Sequence, residues 1–288
     1  MNEFTRRAIL GYAAAGCAAL ALGARGAQHV PIAAELYCVR DDLKRDPAGT
    51  LRAIARMGYE AVEFSGAYFE YTADRAGEIR KLLDELNLRC VGTHNSPKYF
   101  ASTQLERAIE LNRILGGKYL IQASAPNTTT EKGWREVAER LNQVAEALRP
   151  HGMRTGYHNH AGEFQPVDGK VPWEIIAANT VPDVVLQLDI GFLISVGRDP
   201  VECMNAYPGR MATIHVKDYS SEPDRGFKVV FGEGSAKWAE IFRVAETVGR
   251  TETYIIEQDA TKYPPLETME RCLANLQKLR AAMTEPSR

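Results

Sequence analysis

The chain has no surplus of either charge. Lys and Arg total 35 against 37 Asp and Glu, a formal net charge of −2. That balance gives no electrostatic reason to expect nucleic acid or an anionic membrane as a partner. Cysteine is scarce. Beyond the first 27 residues only Cys38, Cys90, Cys203 and Cys272 remain, widely spaced. Such spacing excludes a disulfide scaffold and a structural zinc cluster. Residues 30 to 281 hold no linker or low-complexity stretch, so one large core is expected over that span. The first apolar run leads into Val39-Arg40-Asp41-Asp42. It lacks the Gly-rich phosphate turn with which a doubly wound dinucleotide fold opens.

The first 27 residues differ in kind. Arg6 and Arg7 precede a Gly/Ala/Leu-rich stretch interrupted by Gly11, Gly16 and Gly23. Its apolar part, about 15 residues, is short for a membrane span. It reads as an export signal, and the arginine pair resembles a twin-arginine signal, an address read by the Tat machinery. The expectation is a periplasmic or secreted protein with no stable membrane span after processing. Tat export carries folded proteins, which suits a chain that takes up a metal before leaving the cytoplasm and needs no disulfides.

From residue 28 on, apolar runs alternate with helical patterns. The runs are Ile32 to Val39, Ala61 to Phe64, Arg89 to Thr93, Tyr119 to Ala123, Met153 to His158, Val184 to Leu188, Ala212 to Val216 and Tyr254 to Glu257. Helical periodicity falls at Asp46 to Arg56, Ala73 to Leu86, Thr103 to Leu115, Lys132 to Leu148, Pro172 to Ala178, Pro200 to Ala206, Trp238 to Thr247 and Pro265 to Leu279. Nearly continuous apolar strands fit a parallel sheet buried on both faces. Eight strand–helix units predict a single-domain (β/α)8 TIM barrel over residues 28 to 288, with its chemistry at the carboxyl ends of the strands.

Four of those ends carry polar groups. Run six closes on Asp189, run seven on His215, Lys217 and Asp218, and run eight on Glu257 and Asp259. Buried carboxylates are costly unless paired or metal-bound. Asp189, His215 and Glu257 from adjacent strands form a credible site for Mn, Mg, Co or Zn. Run five supplies His158, Asn159, His160 and, after a turn, Glu163. Glu163 is the expected fourth ligand because it keeps the set carboxylate-rich; His158, at the strand end itself, is the alternative. His158 and His160 are then proton carriers or substrate binders, with Lys217 and Glu257 beside them. His94 and Asn95, at the tip of run three, are expected to bind substrate. Glu35 and Glu63 are strand-end carboxylates with a structural role as the alternative. Gly232-Glu233-Gly234-Ser235 offers backbone N–H groups to an anion.

The segments HNHAGEF (158 to 164), LQLDIG (186 to 191), IHVKD (214 to 218), FGEG (231 to 234) and IIEQD (255 to 259) together resemble the xylose isomerase-like barrel superfamily, the sugar phosphate isomerase/epimerase group. The resemblance covers about residues 32 to 281. In the related ketose epimerases, Glu, Asp, His and Glu from successive strands hold the metal, and the two glutamates exchange the proton. Asp189, His215 and Glu257 match the last three. The first glutamate has no direct match at the strand end, where this chain has His158; either Glu163, five residues on, replaces it or His158 binds the metal itself, which puts the plain two-base mechanism in doubt. The resemblance implies a metal-dependent isomerase or epimerase of an unphosphorylated sugar. The alternatives are a lyase or hydrolase of 3-keto-glycosides or an inosose-type dehydratase, and a non-catalytic sugar-binding barrel. A homodimer is the expected assembly, as dimers are common for closed barrels of this kind.

Overall fold

A computed structural model describes residues 29–124 and 128–284; the expected export signal lies outside the described residues. The strands are β1 (Ile32–Glu35), β2 (Ala61–Phe64), β3 (Arg89–Asn95), β4 (Tyr119–Gln122), β5 (Arg154–His158), β6 (Val185–Asp189), β7 (Thr213–Val216) and β8 (Thr253–Ile256). They pair in sequence order, and β8 closes in parallel on β1. The result is the (β/α)8 barrel that the alternation of runs predicts. Around it lie α1 (Arg40–Arg45), α2 (Pro47–Met57), α3 (Ala73–Glu85), α4 (Ser102–Leu115), α5 (Glu131–Leu148), α6 (Pro172–Asn179), α7 (Ile190–Ser195), α8 (Pro200–Ala206), α9 (Trp238–Val244) and α10 (Pro265–Thr284).

The helix boundaries follow from local chemistry. Asp46 caps α2 by accepting from Gly49 N, Pro47 sits in the first turn, and Gly58 ends the helix with a left-handed φ of 101°. Thr130 caps α5, whose buried stripe runs Trp134, Val137, Ala138, Leu141, Val144, Ala145 and Leu148. Three elements differ from the sequence pattern. The first apolar run splits at Glu35: Leu36–Val39 forms a 3-10 turn, with the Glu35 carboxylate accepting from Tyr37 N. Neither α1 nor α7 has a counterpart among the expected helices, and α7 follows β6 directly. It starts because Asp189 accepts from Phe192 N.

Inside the barrel, Ala33, Ala61, Val91, Tyr119, Ile121, Val185, Ala212 and Ile255 form an apolar plug. Two residues on along their strands come Glu35, Glu63, Gln187 and Glu257, on the same inward faces. Thus the alternation that fills the floor with apolar groups also delivers carboxylates to the layer above it.

β3 breaks this alternation. Val62 pairs with Cys90, but Glu63 pairs with Gly92, so β3 carries one extra residue. Such a bulge reverses which face later side chains take. Val91 joins the inner plug, and His94, three residues on, also turns inward to Gln187 and Glu63. Gly92 suits the tight crossing beside β4, where a Cβ would sit 2.1 Å from Tyr119 O. Asn95 is directed away from His94's face and ties β3 to its neighbours: its amide donates to Thr93 O, Thr93 Oγ1 and Ile121 O, and its oxygen accepts from Tyr68 OH.

Candidate metal centre

His158, Asp189, His215 and Glu257 converge at the carboxyl ends of β5 to β8. One ligand atom from each lies within 4.8 Å of all the others, and all four residues are buried. Asn159 sets the β5–β6 corner. Its side-chain oxygen accepts from Asp189 N at 2.8 Å, and its amide donates to Asp189 O at 3.4 Å. Gly191 lets the next segment pass close to β7, since a Cβ there would lie 2.9 Å from Lys217 O.

Two atoms in the cluster have no hydrogen-bond partner: Asp189 Oδ2 and His158 Nδ1. The other Asp189 oxygen caps α7 at 2.8 Å. Leaving such atoms buried and unsatisfied costs about 1–3 kcal/mol each. Burial raises the Asp189 carboxyl to about 7, against the pull of Lys217. Burial, with the neighbouring His215 and His94, lowers the His158 imidazole well below its ordinary range. Two imidazoles and two carboxylates with unpaired, inward atoms fit a divalent cation in both charge and donor type.

The remaining pair is engaged by protein. His215 Nδ1 lies 2.6 Å from Glu257 Oε2, and His215 Nε2 lies 2.7 Å from Glu63 Oε2. Burial works against charge on His215, but Glu257 and Glu63 outweigh it and raise its pKa well above the usual value. Lys217 Nζ donates to Glu257 Oε1 at 2.8 Å and Asp259 Oδ1 at 3.1 Å. Burial of Lys217 is likewise outweighed, by Glu257, Asp189 and Asp259, so it remains an ammonium. Its head sits 4.7 Å from the Phe192 ring centroid and 5.6 Å from that of Phe227. Phe192, Phe227 and Tyr219 continue as edge-on contacts, an aromatic wall beside the lysine. His160 is half-buried, and its ring meets Phe192 at 5.0 Å. Burial lowers its pKa, leaving a neutral imidazole at neutral pH.

Other expected site residues are placed elsewhere. Glu163 does not join the four-residue cluster. Its carboxylate folds the 159–163 turn back on itself, accepting from Tyr157 OH and His160 N, each at 2.8 Å. Asn95 is held in the hydrogen bonds that tie β3 to β4, as the bulge dictates. His94 lies inside, but its Nε2 is 2.7 Å from Gln187 Oε1 and 3.1 Å from Glu63 Oε2. Burial would lower its pKa; Glu63 and Glu35 raise it to about 9. The Gly232–Ser235 amides do hold an anion, and it is Asp218 of the chain itself, which accepts from Gly232 N and Gly234 N.

Sequence reasoning passed over Gln187 and Phe192. Gln187 precedes Asp189 by two residues, so strand alternation places both on one face. Phe192 carried no such signal, because it depends on α7.

Compared with known proteins, residues 51–279 match the family of xylose isomerase-like TIM barrels. The inosose dehydratase of Clostridium perfringens is 26% identical over 172 residues, 54% of each chain. The chain spans about half the length of the curated relatives it matches. A solved sugar phosphate isomerase/epimerase from Parabacteroides distasonis superposes with a TM-score of 0.76 at 24% identity, covering 90% of this chain and 97% of that one. The solved IOLI protein with a binding zinc atom superposes with a TM-score of 0.68 at 13% identity, covering 89% and 100%. At these identities the solved structures speak to the fold. The family match over most of the chain, on a closed eight-stranded barrel, establishes that the protein belongs to the xylose isomerase-like TIM barrel family.

Proposed function

We propose that the chain is a divalent-metal-dependent enzyme that removes a proton beside the carbonyl of a keto-sugar or keto-cyclitol and expels a hydroxyl group from the next carbon. The observation that carries the metal is the pair of unpartnered buried atoms, Asp189 Oδ2 and His158 Nδ1, facing Glu257 and His215. A divalent cation held by these four residues would polarise a carbonyl and orient two substrate oxygens.

The chain's own groups divide the remaining work. His160, a neutral imidazole at the mouth, takes the proton from the carbon beside the carbonyl. Lys217 stays an ammonium and stabilises the negative oxygen that develops. His160 then returns that proton to the departing hydroxyl, which leaves as water, and a double bond remains. The wall of Phe192, Phe227 and Tyr219 offers ring faces to the apolar side of a sugar and excludes water. Two observations favour elimination over epimerisation. The β5 corner presents an imidazole where a two-base epimerase has a carboxylate, and the sequence relatives include inosose dehydratases.

Isomerisation or epimerisation is the second reading. It is favoured by two proton-carrying groups, His160 and Lys217, set against the same Phe192 ring. Export by the twin-arginine route is part of the proposal and rests on Arg6-Arg7. It favours unphosphorylated substrates outside the cytoplasm.

The test is the metal-loaded full chain in deuterated water with free keto-sugars, inososes and 3-keto-glycosides, followed by NMR. Release of water or aglycone with a new double bond supports elimination. Deuterium uptake without breakdown supports the second reading. A protein that retains no divalent ion and turns over none of these compounds sinks both.

A further inference from the structure

Beside the converging ligands, and in contact with one of them, His215, stand further polar side chains with almost no solvent contact. Glu63, Gln187 and His215 are fully buried, and His94 nearly so. Glu63 sits at their centre. One of its oxygens, Oε2, is 2.7 Å from His215 Nε2 and 3.1 Å from His94 Nε2. The other, Oε1, accepts from Gln187 Nε2 at 3.0 Å. Gln187 is itself fixed: the same nitrogen donates to Thr213 Oγ1 at 3.0 Å, and its oxygen meets His94 Nε2 at 2.7 Å. The His94 and His215 rings are stacked 4.9 Å apart, only 9° from parallel. So the Glu63 carboxylate is held from three sides and cannot swing off His215.

We propose that Glu63 is a positioning residue for the metal centre. It keeps a proton on His215 Nε2, so that the Nδ1 lone pair points to the ligand set on the Glu257 side. The inference rests on the metal reading above and assigns a role to a strand on the opposite wall of the barrel. A ring nitrogen whose proton is given to a carboxylate leaves the other nitrogen more basic and fixes the plane of the ring. The geometry supplies each part. Nε2 meets Glu63, Nδ1 faces Glu257 Oε2 at 2.6 Å, and the stacked His94 ring limits rotation. A carboxylate this deep is costly to keep charged. Compensating contacts from His94, His215 and Gln187 hold it there. His94 and Gln187 thereby act through Glu63 rather than on the ion.

The test uses the full chain with zinc alone. Glu63→Gln preserves shape but removes the charge and one acceptor. Its zinc affinity, measured by titration calorimetry, should fall about 10- to 100-fold while the circular dichroism of the folded protein stays unchanged. A folded Glu63→Gln protein that binds zinc within twofold of wild type overturns the proposal. Should that variant not fold, nitrogen-15 NMR of wild-type His215 decides. In zinc-loaded protein, a proton on Nε2 with Nδ1 ligated supports the assignment, and the opposite tautomer overturns it. A wild type that takes up no zinc overturns the metal reading instead. The role of Glu63 is then judged on the metal-free spectrum: an exchange-protected Nε2 proton on His215 supports it, and its absence refutes it.

Discussion

Asp189 and Asp218 stand at neighbouring strand ends, both fully buried, yet their surroundings are opposite. Asp218 accepts from Tyr219 N, Gly232 N, Gly234 N and the Trp238 indole, all within 3.1 Å. It folds the 219–238 segment, which carries Tyr219 and Phe227, back over the barrel mouth. Asp189 accepts from one backbone N–H, and its second oxygen has no partner. A saturated carboxylate holds structure in place. An unsaturated one at the same depth is held ready for something the chain does not provide.

That contrast breaks first, and hardest, at Asp218. Asp218→Ala should cost about 3 kcal/mol or more of stability in metal-free protein, because two glycine amides and an indole N–H lose their acceptor. Urea unfolding measures it, and a loss under 1 kcal/mol would remove the distinction. Asp189→Asn should do the reverse. It keeps a capping oxygen and removes a carboxyl whose charge burial disfavours, so metal-free stability at pH 7 should not fall. The stabilisation of about 2.7 kcal/mol that an ion confers on wild type at 100 times its Kd should disappear. A thermal shift with zinc that survives this change would mean that Asp189 is no ligand.

His158 and Glu163 sharpen the same comparison at the next strand. His158→Ala should abolish the zinc-induced shift. Glu163→Gln should keep it while costing about 1 kcal/mol through the Tyr157 and His160 contacts. The reverse pattern would restore Glu163 as ligand.

The same comparison also has a pH signature. Asp189 has a folded-state pKa raised to about 7, above its unfolded value. Its contribution to metal-free stability is therefore full below about pH 4 and lost as pH rises towards 7. Subtracting the pH profile of Asp189→Asn from that of wild type should leave a difference that declines over this range and is flat above it. A rising difference would contradict the assignment.

The barrel was legible because eight apolar runs with helical stretches between them leave few other closed arrangements. Asp189, His215 and Glu257 were legible for a related reason: each follows residues that must be buried, so its own depth was implied. Asp218 read as ambiguous because its partners come from residues 14 to 20 positions on, in a segment without regular structure. Glu163 misled because donor chemistry favoured it while the turn geometry that carries it back to Tyr157 has no sequence signature. His94 and Asn95 were read as a pair. Only one of them faces the interior, since one additional residue in β3 leaves no trace in composition or periodicity.

That additional residue has a consequence for how such barrels diversify. Removing Val91 would make β3 regular, with Gly92 still opposite Glu63 and His94 still facing Gln187. What the barrel would lose is the β3 side chain of the apolar floor. The floor is therefore open to change by a single-codon deletion that spares the polar layer above it, a route that a library of point substitutions never samples.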